Sequence, residues 1–403
     1  MITKIAFSPP DISEQEISEV VDALKSGWIT TGPRTKLFER RISEYVGVST
    51  AVCLYSATAA LEMTLRVLGV GPGDEVITSA YTYTASASVI YHVGAKIVLV
   101  DTAPDSFEMD YQKLAEAITE KTKVVIPVDI GGVMCDYDRI IEVLESRKSL
   151  YRPQGMLQSL FDRPVILSDA AHSFGATYHG KKAGAVVDIT CFSFHAVKNL
   201  TTAEGGAVVW LDRPGLDNEW LYEQFQLYSL HGQNKDAAAK LKPGAWEYDI
   251  ILPAYKCNMT DLTAAFGLKQ LERFDGLMAR RREIAGLYDG VLLSGNIRRL
   301  EHNHSDRQGN YHLYLVNVPG ISIERRNEII VCMAEKGVAC NVHFKPLPMM
   351  TAYKKLGFDI DNYPNAYKQY ANEITLPMHT LLSDENAAYV AESFSGCLRD
   401  NHV

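Results

Sequence analysis

Hydrophobic and polar positions along this chain follow two periods that alternate with one another. Between residues 11 and 26, Ile12, Ile17, Val20, Val21 and Leu24 recur at helical spacing, and Ser13 and Glu16 are placed as a capping box. Short apolar runs follow at 51–55, 75–78, 97–100 and 124–128, with helical patterns at 111–118 and 137–144 between the later ones. This is the rhythm of βαβ units, which predicts a mostly parallel sheet covered by helices. Residues 149–162 interrupt it and read as a surface insertion. Two more apolar runs, 165–167 and 189–194, lead into Asp169 and toward Lys198. A long loop is predicted over 228–258, then helices over 259–274 and 277–292. A strand at 311–318, a helix at 324–336 and a strand at 338–342 predict a smaller α+β unit. The expected class is α/β. A large domain spans 1–250, and a helical connection with a small C-terminal domain spans 251–403.

Composition narrows the class of function. A formal net charge of −9 argues against nucleic acid as the main partner. No apolar run approaches the length of a membrane span, and the N-terminus lacks a signal-peptide core, so a cytoplasmic location is expected. Seven cysteines without a CxxC pair read as reduced thiols. No metal-ligand spacing is present, so no metal is expected; His302 and His304 fall in a polar stretch and read as solvated. The run Arg280-Arg281-Arg282 reads as a helix face. Gly69-Val70-Gly71-Pro72-Gly73-Asp74 has the look of a dinucleotide loop, but it follows a helix and precedes a strand. That reverses the context a Rossmann motif needs and excludes the nicotinamide reading.

Candidate chemistry concentrates between residues 165 and 206. A carboxylate at the end of a buried strand is costly unless something pairs with it. Asp169 ends one apolar run, and Lys198 follows the next. An acid and an amine are thus presented toward a common sheet edge, where open α/β sheets bind ligands. Pyridoxal 5'-phosphate needs both groups. A lysine forms a Schiff base with its aldehyde, and an aspartate keeps its pyridinium nitrogen protonated so that the ring is an electron sink. His172 lies one helical turn past Asp169 and is placed to cover the same ring; Ser193 is placed to reach the phosphate. Upstream, Ser56-Ala57-Thr58 opens a helix after a strand, an arrangement that suits a phosphate. Taken singly, each residue has a plainer reading: a surface lysine, an N-capping aspartate, a structural histidine, an ordinary capped helix.

The combination is more specific. In order, the chain carries Ser168-Asp169-Ala170-Ala171-His172, Phe174-Gly175-Ala176, Phe192-Ser193-Phe194-His195, Lys198-Asn199-Leu200 and Glu204-Gly205-Gly206. These resemble the signature of the DegT/StrS-type sugar aminotransferases, which are fold-type I, aspartate aminotransferase-like enzymes. The resemblance runs from about residue 7 to about residue 385. It implies a homodimer in which Lys198 carries pyridoxal phosphate and Asp169 pairs with the ring nitrogen. Ala57, Thr58 and Ser193 would hold the phosphate, with Tyr83 and His172 beside the ring. Trp28, Thr30 and His343 would hold substrate. Lys256 lies in a loop that in such enzymes crosses to the partner's phosphate; here alanine replaces the usual glycine at 254, and lysine the commoner asparagine at 256. The implied reaction takes an amine from an amino acid, L-glutamate foremost, through pyridoxamine phosphate to a nucleotide-linked keto-sugar. Such a reaction serves amino-sugar and surface-polysaccharide biosynthesis. Related cyclitol aminotransferases are an alternative. Sugar dehydratases of this kind carry histidine in place of the lysine. A catalytically silent ligand-binding or sensory relative is disfavoured by the retention of both Lys198 and Asp169.

Overall fold

In the computed structural model, residues 4–234, 247–292 and 297–400 are described; part of the predicted 228–258 loop therefore lies outside the described residues. Seven strands form the main sheet: β1 (Ala51–Leu54), β2 (Glu75–Ser79), β3 (Lys96–Val100), β4 (Thr122–Ile126), β5 (Val165–Asp169), β8 (Ile189–Ser193) and β9 (Gly206–Trp210). Their order is β1-β9-β8-β5-β4-β2-β3. Neighbouring strands are parallel from β8 to β3, and β9 runs antiparallel to both β8 and β1. Both faces are buried: Val52, Leu54, Val124, Ile126, Val165 and Leu167 pack into one core, while Cys53, Val125 and Ile166 between them pack into the other. A parallel sheet covered on both faces gives this near-continuous apolar run along each strand.

A short ribbon of β6 (Thr177–Tyr178), β7 (Lys181–Lys182) and β11 (Arg307–Gln308) ties the main sheet to the C-terminal region. There β10 (Arg298–Arg299), β12 (Tyr314–Asn317) and β13 (Glu373–Leu376) form an antiparallel sheet, which packs on helices Ile323–Glu335 and Asp384–Asp400. The strand expected over 338–342 does not form; this segment makes only single bridges, Ile5 to Val338 and Asn341 to Thr375. β13 takes the place beside β12, a role masked in sequence by the charged residue with which it begins.

Four further expectations are corrected. The 149–162 segment is not a surface insertion: Tyr151, Leu157 and Phe161 enter the core, and buried Gln158 donates to the Leu68 carbonyl at 2.8 Å. His302 is not solvated; it is 2% exposed and stacks on Tyr311 at 4.4 Å, and burial pushes its pKa down to about 4. Arg281 is not on an open helix face but is buried, donating to the Tyr311, His312 and Met378 carbonyls. Not all seven cysteines are thiols, since Cys332 and Cys397 form a disulfide between two C-terminal helices 65 residues apart in sequence, a separation that leaves no local signal.

The first helix, α1 (Glu14–Lys25), has the expected capping box, with the Ser13 N–H donating to Glu16 at 2.7 Å. Its orientation inverts the expected one. Glu16 is buried, accepting from Gln270 at 2.8 Å and from Arg273 at 2.6 Å. Ile12, Ile17, Val21 and Leu24 are instead 39–53% exposed. A buried ion pair, rather than the apolar stripe, docks α1 on the body.

Candidate active site

A cavity of about 440 Å³ opens at the carboxyl ends of the parallel strands. Ala57, Thr58, Tyr83, Asp169, His172, Ser193, Lys198 and His343 all line it, together with His312 and Phe344. Asp169 and Ser193 come from strand ends, Ala57 and Thr58 from a helix that follows a strand, and His312, His343 and Phe344 from loops of the C-terminal region.

Asp169 closes β5 and is buried. Its Oδ2 accepts from Ser86 Oγ at 2.7 Å, and its Oδ1 from the Ala171 N–H at 3.2 Å. Because the Ser86 proton is thereby used, Thr82 Oγ1 donates to Ser86 at 2.8 Å. Burial raises the Asp169 pKa above its ordinary value, against the pull of Ser86, Ala171 and the Lys198 charge. Such a carboxylate is held ready for a cationic partner.

Lys198 sits in the turn after β8, its N–H donating to the His195 carbonyl at 2.9 Å. Burial lowers its pKa to about 8, although Asp169 opposes that shift. About a tenth of the amine is therefore neutral at pH 7 and about half at pH 8, far more than for an ordinary lysine, and it is the neutral form that carbonyl condensation requires. The next residue anchors this turn. Asn199 Nδ2 donates to the Asn310 carbonyl at 2.9 Å, which leaves Asn199 Oδ1 to accept from His312 Nδ1 at 3.0 Å.

Helix α3 (Ala57–Val67) points its N-terminus into the cavity. Ser56 caps it by accepting from the Ala59 N–H at 3.1 Å. The N–H groups of Ala57 and Thr58 have no partner among the described residues. Gly206 of β9 lets this terminus approach: a Cβ there would lie 2.4 Å from the Ser56 carbonyl carbon. Ser193, at the end of β8, supplies a hydroxyl nearby. Free N–H groups, a helix dipole and a hydroxyl make a phosphate cradle.

His172 Nδ1 accepts from the Gly131 N–H at 3.1 Å, so the ring is neutral with its proton on Nε2; burial holds its pKa well below the usual range. Its ring lies 4.4 Å from that of His312 and 5.9 Å from that of Phe344. Tyr83 forms the rim and is 61% exposed. His343 presents its ring to the cavity and stacks on Phe7 at 5.7 Å.

Three candidates do not line this cavity: Trp28, Thr30 and Lys256. They share a separate patch. Trp28 Nε1 donates to the Thr31 carbonyl at 3.1 Å, and the Thr30 carbonyl accepts from the Asp261 N–H at 3.1 Å. Lys256 donates to Asn258 Oδ1, and Asn258 Nδ2 to Thr31 Oγ1. Sequence reasoning did not single out Ser86, Asn199, Asn310, His312 or Phe344. Asn199 lay inside the quoted motif, and His312 is a polar residue at the mouth of an apolar strand; those were the available signals.

The three anchor points match the three ends of pyridoxal phosphate. Lys198 would take the aldehyde, Asp169 the ring nitrogen, and Ala57, Thr58 and Ser193 the phosphate. When bound, the cofactor supplies an electron sink for a carbanion next to the amino nitrogen. Fold and site together define a pyridoxal phosphate-dependent enzyme of fold-type I.

Comparison with known proteins takes this further. The profile of the DegT/DnrJ/EryC1/StrS aminotransferase family matches residues 10–395. Spore coat polysaccharide biosynthesis protein SpsC of Bacillus subtilis is 37% identical over 395 residues, 96% of each chain. The UDP-4-amino-4-deoxy-L-arabinose–oxoglutarate aminotransferase of Shewanella sediminis is 35% identical over 92% of this chain and 89% of its own. Among solved structures, Spr1654 of Streptococcus pneumoniae, assigned as a sugar aminotransferase and solved in its PLP form, is 54% identical. It superposes with a TM-score of 0.96 over 99% of this chain and 100% of its own. The chain belongs to the DegT/DnrJ/EryC1/StrS aminotransferase family. It is a pyridoxal phosphate-dependent aminotransferase related to enzymes of amino-sugar and polysaccharide biosynthesis. No helix among the described residues is long and apolar enough to cross a membrane.

Proposed function

We propose that this protein transfers an amino group from L-glutamate to the ketone of a nucleotide-linked sugar. The observation that carries the reading is a half-buried Lys198 and a buried Asp169 facing one cavity with a free helix N-terminus. The relatives supply the substrate class: one is named for a UDP-linked amino sugar and oxoglutarate, another for spore coat polysaccharide biosynthesis. In this reading Lys198 Nζ, near neutral, takes the proton from the donor's α-carbon and returns one at the sugar carbon. Asp169 keeps the ring nitrogen protonated, Ala57, Thr58 and Ser193 hold the phosphate, and Tyr83 and His172 flank the ring. His343 meets the sugar. The test is a panel of UDP-, dTDP- and GDP-linked keto-sugars with glutamate, read as sugar amine and 2-oxoglutarate formed together. Amination of a cyclitol ketone alone would replace the sugar assignment. Absence of a cofactor absorbance band would favour a silent binding protein.

We further propose that the enzyme works as a homodimer with shared sites, in the cytoplasm. Supporting the shared-site dimer are the exposed apolar face of α1, the exposed Tyr55, Tyr91, Ile250, Ile251 and Tyr255, and the joint patch of Trp28, Thr30 and Lys256. Such a patch can serve a neighbouring cavity as one unit. If Lys198→Ala subunits are mixed with subunits impaired at Lys256 and exchange is verified, activity should return to as much as about a quarter of wild type, by random assortment into two-fold dimers. No recovery would confine Lys256 to its own chain.

A further inference from the structure

The wall opposite Asp169 holds a second buried carboxyl that the reaction described above does not use. Glu373 opens β13 and is fully buried. Its Oε1 accepts from Thr375 Oγ1 at 2.5 Å, and its Oε2 from the His343 N–H at 2.8 Å. Thr375 Oγ1 in turn lies 2.8 Å from His343 Nδ1. Among the described residues Glu373 has no ion pair; Arg326 reaches its main-chain carbonyl at 3.3 Å, not its carboxylate. The other edge of the His343 ring, Nε2, has no partner among the described residues, and the ring lines the cavity.

We propose that Glu373 and Thr375 are positioning residues that set whether His343 donates or accepts a hydrogen bond at the substrate. When Glu373 is ionised, Thr375 donates to it, so Thr375 oxygen must accept from His343 Nδ1–H, and Nε2 faces the cavity as an acceptor. When Glu373 is protonated it donates to Thr375, Thr375 donates to Nδ1, and Nε2 carries the proton into the cavity. One proton on a buried carboxyl thus selects the tautomer of an imidazole that itself stays uncharged. A ketone oxygen can only accept, so the second arrangement is the one that can hold a keto-sugar carbonyl; this clause rests on the sugar reading above.

The surroundings place the switch in a useful range. Burial pushes the Glu373 carboxyl up to about 8, against the pull of the Thr375 and His343 hydrogen bonds and the Arg326 charge. The His343 ring is held down to about 4 by burial and by Lys198, so it does not itself protonate there. The other titratable groups around the chain are Tyr81, whose hydroxyl donates to the His343 carbonyl at 2.7 Å, Cys340, Tyr370, and across the cavity His172 and His312. Burial raises Tyr81 and Cys340 and lowers His172 and His312, so none of these four changes charge between pH 6 and 9. The Lys198 amine, at about 8, shares the window of Glu373 and acts on His343 across the cavity; Glu373→Gln separates the two, because it removes one titration and leaves the other.

The experiment is two-bond proton–nitrogen correlation on the holoenzyme with ¹⁵N-labelled histidine, the His343 signals identified by their loss in His343→Asn. In wild type, the proton should move from Nε2 to Nδ1 as pH rises through the Glu373 titration. Glu373→Gln should lock the proton on Nε2 at every pH. The His343 N–H can only donate, so the amide oxygen must face it, and the amide nitrogen is left to donate to Thr375. Thr375→Val should remove the pH dependence, and Thr375→Ser should restore it. With the accepted ketone, Thr375→Val should raise KM about tenfold while kcat changes little, the expected effect of one misdirected hydrogen bond. A His343 tautomer that is independent of pH in wild type, or unchanged by Glu373→Gln, would overturn the proposal. The tautomer readout needs no sugar, so it stands or falls apart from the choice of acceptor.

Discussion

The two walls of the cavity are built by different means. On one side Asp169, Ser193 and the Ala57–Thr58 turn are fixed by strand ends: the sheet's hydrogen bonds place the backbone, and the side chains follow. On the other side His312 and His343 stand at the approach to β12 and in the loop that replaces an expected strand. Each there depends on a buried polar group for its orientation, Asn199 and Asn310 for His312 and the Glu373–Thr375 pair for His343. Sheet topology places groups cheaply and rigidly. Loop-borne groups need satisfied polar networks, which hold a unique arrangement only when every member is present. Under the proposed function the chemistry of the reacting bond falls to the first wall and recognition of the substrate to the second.

The largest effect should come from the first wall. Asp169→Asn keeps the shape but removes the charge that holds a ring-nitrogen proton. Turnover should fall on the order of a thousandfold, as for loss of one preorganised electrostatic partner, while the cofactor's absorbance band is retained. Turnover near wild type would remove Asp169 from the chemistry.

The strut between the walls should give an intermediate effect. Asn310 donates to the His172 and Phe174 carbonyls at 2.6 and 2.9 Å and accepts from the His312 N–H at 3.0 Å. Asn310→Ala leaves three buried groups unpaired and should cost about 2–3 kcal/mol in denaturant unfolding. If instead stability is unchanged, the walls do not depend on one another.

A smaller change should appear on titration. Lys198 with a pKa of about 8 is protonated below that pH and nucleophilic only when neutral. The rate at which apoenzyme takes up pyridoxal phosphate should rise about tenfold per pH unit below 8 and level off above it. Rapid-mixing absorbance measures this; a plateau reached only above pH 10 would mean that burial does not tune the amine.

The contrast between the walls also explains what could be read from the chain. Asp169, Ser193 and Lys198 fall within one stretch, where apolar runs ending in polar residues announce strand ends. The free N-terminus of α3 shows itself as small hydroxylated residues after a strand. On the second wall only His343 is marked, and only through the resemblance. Glu373 carries no signal of the burial that β13 gives it, and Asn310 lies in the same polar stretch as His302. The apolar stripe of α1 gave the right helix and the wrong side, because periodicity reports that a face will be covered but not by which chain. Residues 149–162 lacked a period, so their three buried aromatic and aliphatic anchors looked like decoration.

The position of β9 has a consequence in time as well as space. β1 borders β9 in the sheet, and Gly206 is the surface on which the N-terminal end of α3 rests. The ribosome adds Gly206 about 150 residues after Leu54, which at ordinary elongation rates is roughly ten to thirty seconds. Throughout that interval the apolar segment Ala51–Leu54 waits without its strand partner, and the proposed phosphate cradle lacks the strand against which α3 is set. A nascent chain halted before Gly206 is therefore both unable to capture pyridoxal phosphate and open to pairing with the wrong strand. The cofactor can reward folding only after half the protein has been made.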